Sequence, residues 1–152
     1  MRKLIASLTV AASLAATFAI SGVSMAASGS PVQNTCGKYI ASETKSGRVV
    51  NLTATAYAPT AKDNYPYGPV DYYGRPLAAG DVAVDPRVIP LGTCLWVTGY
   101  KSANLPVGGF YALADDTGGA IKGARIDIFI NRSESQVNAF GIQHVRVTIL
   151  GK

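Results

Sequence analysis

The chain has 152 residues, 48% hydrophobic and 15% charged, with 16 glycines, 8 prolines, two cysteines, one histidine and a formal net charge of +5. That composition fits one compact domain and argues against disorder. A lone histidine and two cysteines leave too few ligands for an ordinary zinc or iron–sulfur site, so no metal and no cofactor are expected.

Arg2 and Lys3 precede an uncharged, alanine- and leucine-rich run from Leu4 to about Ile20, and Ser24-Met25-Ala26 places small residues where a signal peptidase reads. Residues 1–26 are therefore expected to be a secretory signal, cut after Ala26. A permanent anchor is the competing reading, but the run is short, alanine-diluted and followed directly by the cleavage site. Without the leader no stable membrane anchor is expected, and the protein belongs outside the cytoplasm, secreted or in the cell envelope. Loss of Arg2 and Lys3 leaves 12 basic and 9 acidic residues, a net charge of +3. Such a mild cationic bias suits a carboxylate- or phosphate-bearing polymer such as the cell wall; the basic residues are scattered singly and form no nucleic-acid stripe.

Residues 27–48 are small and polar and read as a mature N-terminal tail pinned near Cys36. In an oxidising compartment Cys36 and Cys94 are first expected to pair, the alternative being two reduced core thiols. From residue 49 to 152 the pattern is that of one β domain. Val50, Leu52, Ala54 and Ala56 alternate with Asn51, Thr53, Thr55 and Tyr57. Similar short runs lie at 81–84, 94–98, 110–114, 125–130 and 144–150, making six expected strands. Turn chemistry punctuates them at Gly80-Asp81, Asp85-Pro86, Ile89-Pro90-Leu91-Gly92, Gly108-Gly109 and Gly118-Gly119. One short helix is expected after Ser133, where Ser133-Glu134-Ser135-Gln136 has capping-box spacing and Gly141 supplies a stop. So short a helix cannot cover a parallel sheet, which leaves a closed or nearly closed β-barrel. His144, on the polar side of its strand with Arg146 and Thr148, reads as an ordinary exposed residue.

The segment 63–75 has no period and carries Tyr65, Tyr67, Tyr72 and Tyr73 among glycines and prolines. Its tyrosines offer flat faces for a sugar ring and hydroxyls for its edge, or else they pack over the barrel's open end. Three aspartates stand apart from the loop charges. Asp85 ends the apolar run Val82-Ala83-Val84-Asp85, Asp116 opens a glycine-rich turn, and Asp127 sits inside Arg125-Ile126-Asp127-Ile128 on the face opposite the isoleucines. A mid-strand carboxyl in apolar surroundings is costly unless paired, hydrogen-bonded or protonated, and low dielectric raises its pKa as a general acid requires. A single such aspartate would more simply face solvent; three beside a turn that exposes backbone amides point to a site. Asp116-Thr117-Gly118 occurs once, whereas aspartic-protease chemistry needs two such aspartates sharing a proton.

The runs Leu52-Thr53-Ala54-Thr55-Ala56-Tyr57, Val82-Ala83-Val84-Asp85-Pro86-Arg87-Val88-Ile89-Pro90-Leu91-Gly92-Thr93 and, across 114–129, Ala-Asp-Asp-Thr-Gly-Gly-Ala-Ile-Lys-Gly-Ala-Arg-Ile-Asp-Ile-Phe resemble the 3D domain family, named for three aspartates. The resemblance runs from about residue 50 to 150. It implies an all-β, six-stranded double-psi β-barrel related to the catalytic barrel of membrane-bound lytic transglycosylase A. It also implies that Asp127 serves as single acid and base, with Asp85 and Asp116 lining the same cleft and keeping the Asp127 pKa high by like-charge repulsion. Tyr57, Thr117, Gly118 and Lys122 are the expected contacts to sugar or leaving-group oxygens.

The implied reaction is non-hydrolytic cleavage of the bond between N-acetylmuramic acid and N-acetylglucosamine in peptidoglycan glycan strands, forming a 1,6-anhydro sugar. A non-catalytic, expansin-like wall-binding module using the same cleft is the alternative. The sequence departs from the family pattern in the tyrosine-rich loop, in residues 101–109 and at Asp115, where glutamate is common.

Overall fold

The computed structural model describes residues 29–152. The expected signal segment, 1–26, lies outside the described residues. Chain order is α1 (Pro31–Ala41), β1 (Arg48–Tyr57), β2 (Asp81–Val84), β3 (Thr93–Thr98), β4 (Phe110–Asp116), β5 (Arg125–Phe129), α2 (Glu134–Asn138) and β6 (Gln143–Gly151).

The six strands close into one barrel in the order β1-β5-β2-β4-β3-β6. β1 with β5 and β2 with β4 are parallel, and the other four pairings are antiparallel. Period-two alternation explains the packing. Leu52, Ala54, Val82, Val84, Leu95, Val97, Ala112, Ala114, Ile126, Ile128, Val145 and Val147 are buried in one continuous core. Their odd–even neighbours point outward. Closure removes every open sheet edge, so short strands suffice. On α2, the Ser133–Gln136 capping box is formed, and Val137 together with Phe140, just past the helix end, enters the core.

The segment expected to be a tail carries the 11-residue helix α1, so the described residues hold two helices where one was expected. Ser30 caps it, accepting a hydrogen bond from the Gln33 amide, and Pro31 stands at its first position. Val32, Cys36, Tyr39 and Ile40 fall on one face and pack on Cys94, Leu113, Tyr111 and Leu150 outside the barrel. Gly80 lets the helix approach: its φ is +99°, and a Cβ there would meet the Val32 side chain at 2.6 Å. The Cys36–Cys94 disulfide fixes α1 to β3, and closing 58 residues stabilises the fold by about 4 kcal/mol on chain-entropy grounds. Among the described residues no helix is long and apolar enough to cross a membrane.

Candidate active site

A row of outward-facing residues crosses four adjacent strands. Thr55 on β1 faces Asp127 on β5, Asp127 faces Ala83 on β2, and Ala83 faces Asp116 on β4. Asp116 joins this row through a register shift. Val82 faces Ala114, but Ala83 faces Asp116, so Asp115 is the extra residue on β4. A slip of one residue exchanges the two faces of a strand. Here it turns Asp116 out toward the row and leaves Asp115 fully buried.

Asp116 and Asp127 are two strand spacings apart, about 9–10 Å between Cα atoms, with only the Ala83 methyl between them. A cavity of about 620 Å³ opens over them, lined also by Tyr57, Thr117, Gly118, Asp63 and the loop tyrosines Tyr65, Tyr67 and Tyr72. These three tyrosines are 85%, 85% and 61% exposed, so they wall the cavity instead of packing over the end of the barrel.

At that separation Asp116 and Asp127 share no proton within one chain, and each is anchored separately. Asp127 Oδ1 accepts the Thr55 hydroxyl at 2.7 Å, while its Oδ2 has no protein partner among the described residues. Burial pushes the Asp127 pKa up; the charges of Asp63 and Asp116 add to the rise, and the Thr55 hydrogen bond and Arg125 oppose it. Asp116 accepts the Tyr57 hydroxyl at 2.8 Å and the Thr117 amide at 2.8 Å. Its pKa also rises, through burial, against those two hydrogen bonds. The Tyr57 hydroxyl is driven far above its ordinary range by burial and the Asp116 charge, so it acts only as a donor. Tyr57 thus lines the cavity but spends its hydroxyl on Asp116.

Asp85, expected to line the same cleft, is not among the residues lining this cavity and has its own partners. Arg87 grips both its oxygens, Nε on Oδ1 at 3.0 Å and Nη2 on Oδ2 at 2.7 Å. The Gly123 amide adds a bond at 2.7 Å. Hydrogen bonding to Arg87 holds the Asp85 carboxyl well below the usual range, so it is an ionised group paired with that guanidinium. It ties the end of β2 to the loop that carries Thr117 and Gly118. Lys122, in the same loop, is exposed and likewise outside the cavity lining.

Two participants have no signal in their own sequence context. Asp63 accepts the Ala58 amide at 2.9 Å and charges the cavity near Asp127; Thr55 looks like any polar residue of an alternating strand. Behind the row lies a second carboxyl group of residues. Asp71, Asp81 and Asp115 are all buried, with one guanidinium, Arg75, on Asp71 Oδ2 at 2.6 Å and on Asp115 Oδ2 at 3.0 Å. Asp81 Oδ1 and Asp115 Oδ1 are buried without a hydrogen-bond partner among the described residues. Burial first, then the charges of Asp81 and Asp71, push the Asp115 pKa up to about 8. Through Asp71, which accepts the Tyr73 and Arg75 amides at 2.8 Å, and through the Tyr72 amide on the Asp115 carbonyl at 3.0 Å, this group holds the tyrosine loop against β4.

Fold and site together define a closed, mixed six-stranded β-barrel with a carboxyl-lined, tyrosine-walled cleft on its outer face. Residues 81–151 match the model of the 3D domain family, and the chain carries a 3D domain. β1, which supplies Thr55 and Tyr57, precedes the matched span yet completes the barrel. The chain is 39% identical over 124 residues to the cell wall-binding protein YocH of Bacillus subtilis (strain 168), covering 77% of this chain and 39% of that protein. It is 35% identical over 111 residues to the putative cell wall shaping protein YabE of the same organism, covering 72% of this chain and 25% of that protein. The chain thus spans well under half the length of these two relatives. Among solved structures, MltA from E. coli is similar at 28% identity and a TM-score of 0.45, over 55% of this chain and 28% of that one.

Proposed function

We propose that the protein is exported, binds peptidoglycan glycan strands in the Asp116–Asp127 cleft, and cleaves them as a lytic transglycosylase. The observation that carries this reading is Asp127 itself. It is a desolvated carboxyl with one oxygen anchored by Thr55 and the other without a protein partner among the described residues, at the floor of an aromatic-walled cavity. A raised pKa lets it donate its proton to the glycosidic oxygen as the C1–O bond breaks. The Asp116 carboxylate, kept in place by Tyr57 and the Thr117 amide, supplies negative charge across the cleft to the oxocarbenium-like centre. The Asp127 carboxylate then takes the proton of the muramyl C6 hydroxyl, whose oxygen closes on C1. That step restores the acid, consumes no water and leaves a 1,6-anhydro end. The tyrosines present flat faces to the sugar rings. The wall-related names of the two Bacillus relatives support the cell wall as the place of action.

The name of the first relative also favours a second reading, a wall-binding module that uses the same cleft without turnover. Incubation of the purified chain with peptidoglycan, followed by mass spectrometry of the soluble products, separates the two. Anhydro-muropeptides support the transglycosylase, new reducing ends indicate hydrolysis, and retention without release identifies the module.

A further inference from the structure

The outer face that bears Asp127 continues away from the cleft along β1, and its side chains come in rungs two residues, about 7 Å, apart. On the first rung beyond Thr55 and Asp127, Thr53 faces Arg125 on one side and His144 on the other. On the next, Asn51 faces Arg146, which in turn faces Thr98 of β3. On the third, Val49 faces Thr148, which faces Trp96, and the Lys45 ammonium lies 4.7 Å from the centre of the Trp96 ring. Every rung beyond the cleft therefore carries a cation. Among the described residues the ion pairs involve only Lys62, Arg75 and Arg87, so Lys45, Arg125 and Arg146 have none. Asp127 is the only carboxylate among the outward residues of β1, β3, β5 and β6. The Arg125 Nε is buried and, among the described residues, has no hydrogen-bond partner, a donor left without an acceptor.

We infer that Arg125, His144, Arg146 and Lys45 form an anion-binding track that receives carboxylates branching from the glycan strand whose backbone lies in the cleft. The inference rests on the glycan reading of that cleft and extends it to the substrate's side branches. Three cationic rungs span about 14 Å, so one extended acidic branch, or branches of successive sugars, contact several at once. Guanidinium groups suit planar carboxylates, while Asn51, Thr53 and Thr98 add neutral hydrogen-bonding groups between them. The location has a chemical consequence as well. Arg125 is one rung from Asp127, so an anion bound on it offsets the pull that its positive charge exerts on the Asp127 proton.

The test uses the full chain and two probes: peptidoglycan stripped of phosphate polymers, and the same material with its peptide carboxylates amidated. Wild type is expected to bind the intact material about tenfold more tightly than the amidated one, with a preference that fades as salt rises. Arg146→Glu should bring that ratio to about one, and Arg146→Lys should restore most of it. Equal ratios in wild type and Arg146→Glu overturn the track, as does a preference that returns only when phosphate polymer is added back. Failure of the cleft reading looks different: wild type would then not bind a neutral N-acetylglucosamine oligomer, whatever the ratio between the two peptidoglycans.

Discussion

The Tyr57 hydroxyl donates a hydrogen bond of 2.8 Å to Asp116 Oδ2, joining the last residue of β1 to the last residue of β4 across the mouth of the cleft. Because burial keeps this phenol protonated, the bond is a fixed feature of the site and orients the Asp116 charge. Tyr57→Phe keeps the ring on Phe129 and removes only the donor. Glycan cleavage should fall about tenfold, as expected for one lost net hydrogen bond of about 1.4 kcal/mol, while glycan retention changes little. Release rates and pull-down of the variant on peptidoglycan check both parts.

Ala83 is the floor between the two carboxyls. A leucine there would put three further carbons into the space that a sugar ring must occupy, on the outer face of β2 where the barrel interior is untouched. Ala83→Leu should therefore lose glycan affinity about tenfold or more, and because Ala83 is only 3% exposed the added bulk should also lower Tm by several degrees. Sedimentation with insoluble peptidoglycan and a thermal melt give the two readouts.

The buried Asp71–Asp81–Asp115 group makes stability depend on pH in a defined direction. Asp115 is pushed up to about 8 and Asp81 to about 6, both chiefly by burial, so the folded protein holds protons that the unfolded chain releases near an ordinary value of about 3.9. Where the folded state binds more protons, stability falls as pH rises, by about 1.4 kcal/mol per pH unit for each extra proton. The loss should run from about pH 4 to about pH 8 and then level off. Asp115→Asn removes much of that slope, so its Tm relative to wild type should climb across the same window. Melts at several pH values measure it, and a parallel pair of curves would contradict the assignment.

Much of this architecture is legible in local pattern. The strands lie where alternation places them, because inward residues such as Ile126 and Ile128 are hydrophobic and outward ones polar, and this periodicity alone puts Asp127 on the outer face. The Ser133–Gln136 cap is equally local. α1 was hidden because its apolar face, Val32, Cys36, Tyr39 and Ile40, is diluted by Gly37 and polar residues, and acquires meaning only against β3 and β4. The Asp116 orientation depends on a register shift between β2 and β4, a property of two strands that neither sequence contains. The Asp85–Arg87 pair is local by contrast: the partner stands two residues on, and the turn at Pro86 brings its guanidinium round to the carboxylate. Thr55 enters the site through a contact to β5 that exists only after the barrel closes, whereas Asp63 is held by the local Ala58 amide and needs the closed barrel only for its charge to reach Asp127.

In the proposed cleavage one carboxyl, Asp127, acts first as acid and then as base. Asp127→Asn preserves size and can still accept the Thr55 hydrogen bond but has no transferable proton. Digestion of peptidoglycan by wild type and variant in parallel, with anhydro-muropeptides quantified by mass spectrometry, tests it most directly. Wild type should release them and the variant should release at least about a hundredfold less while still sedimenting with the polymer. Comparable release by both proteins would contradict the assignment of Asp127.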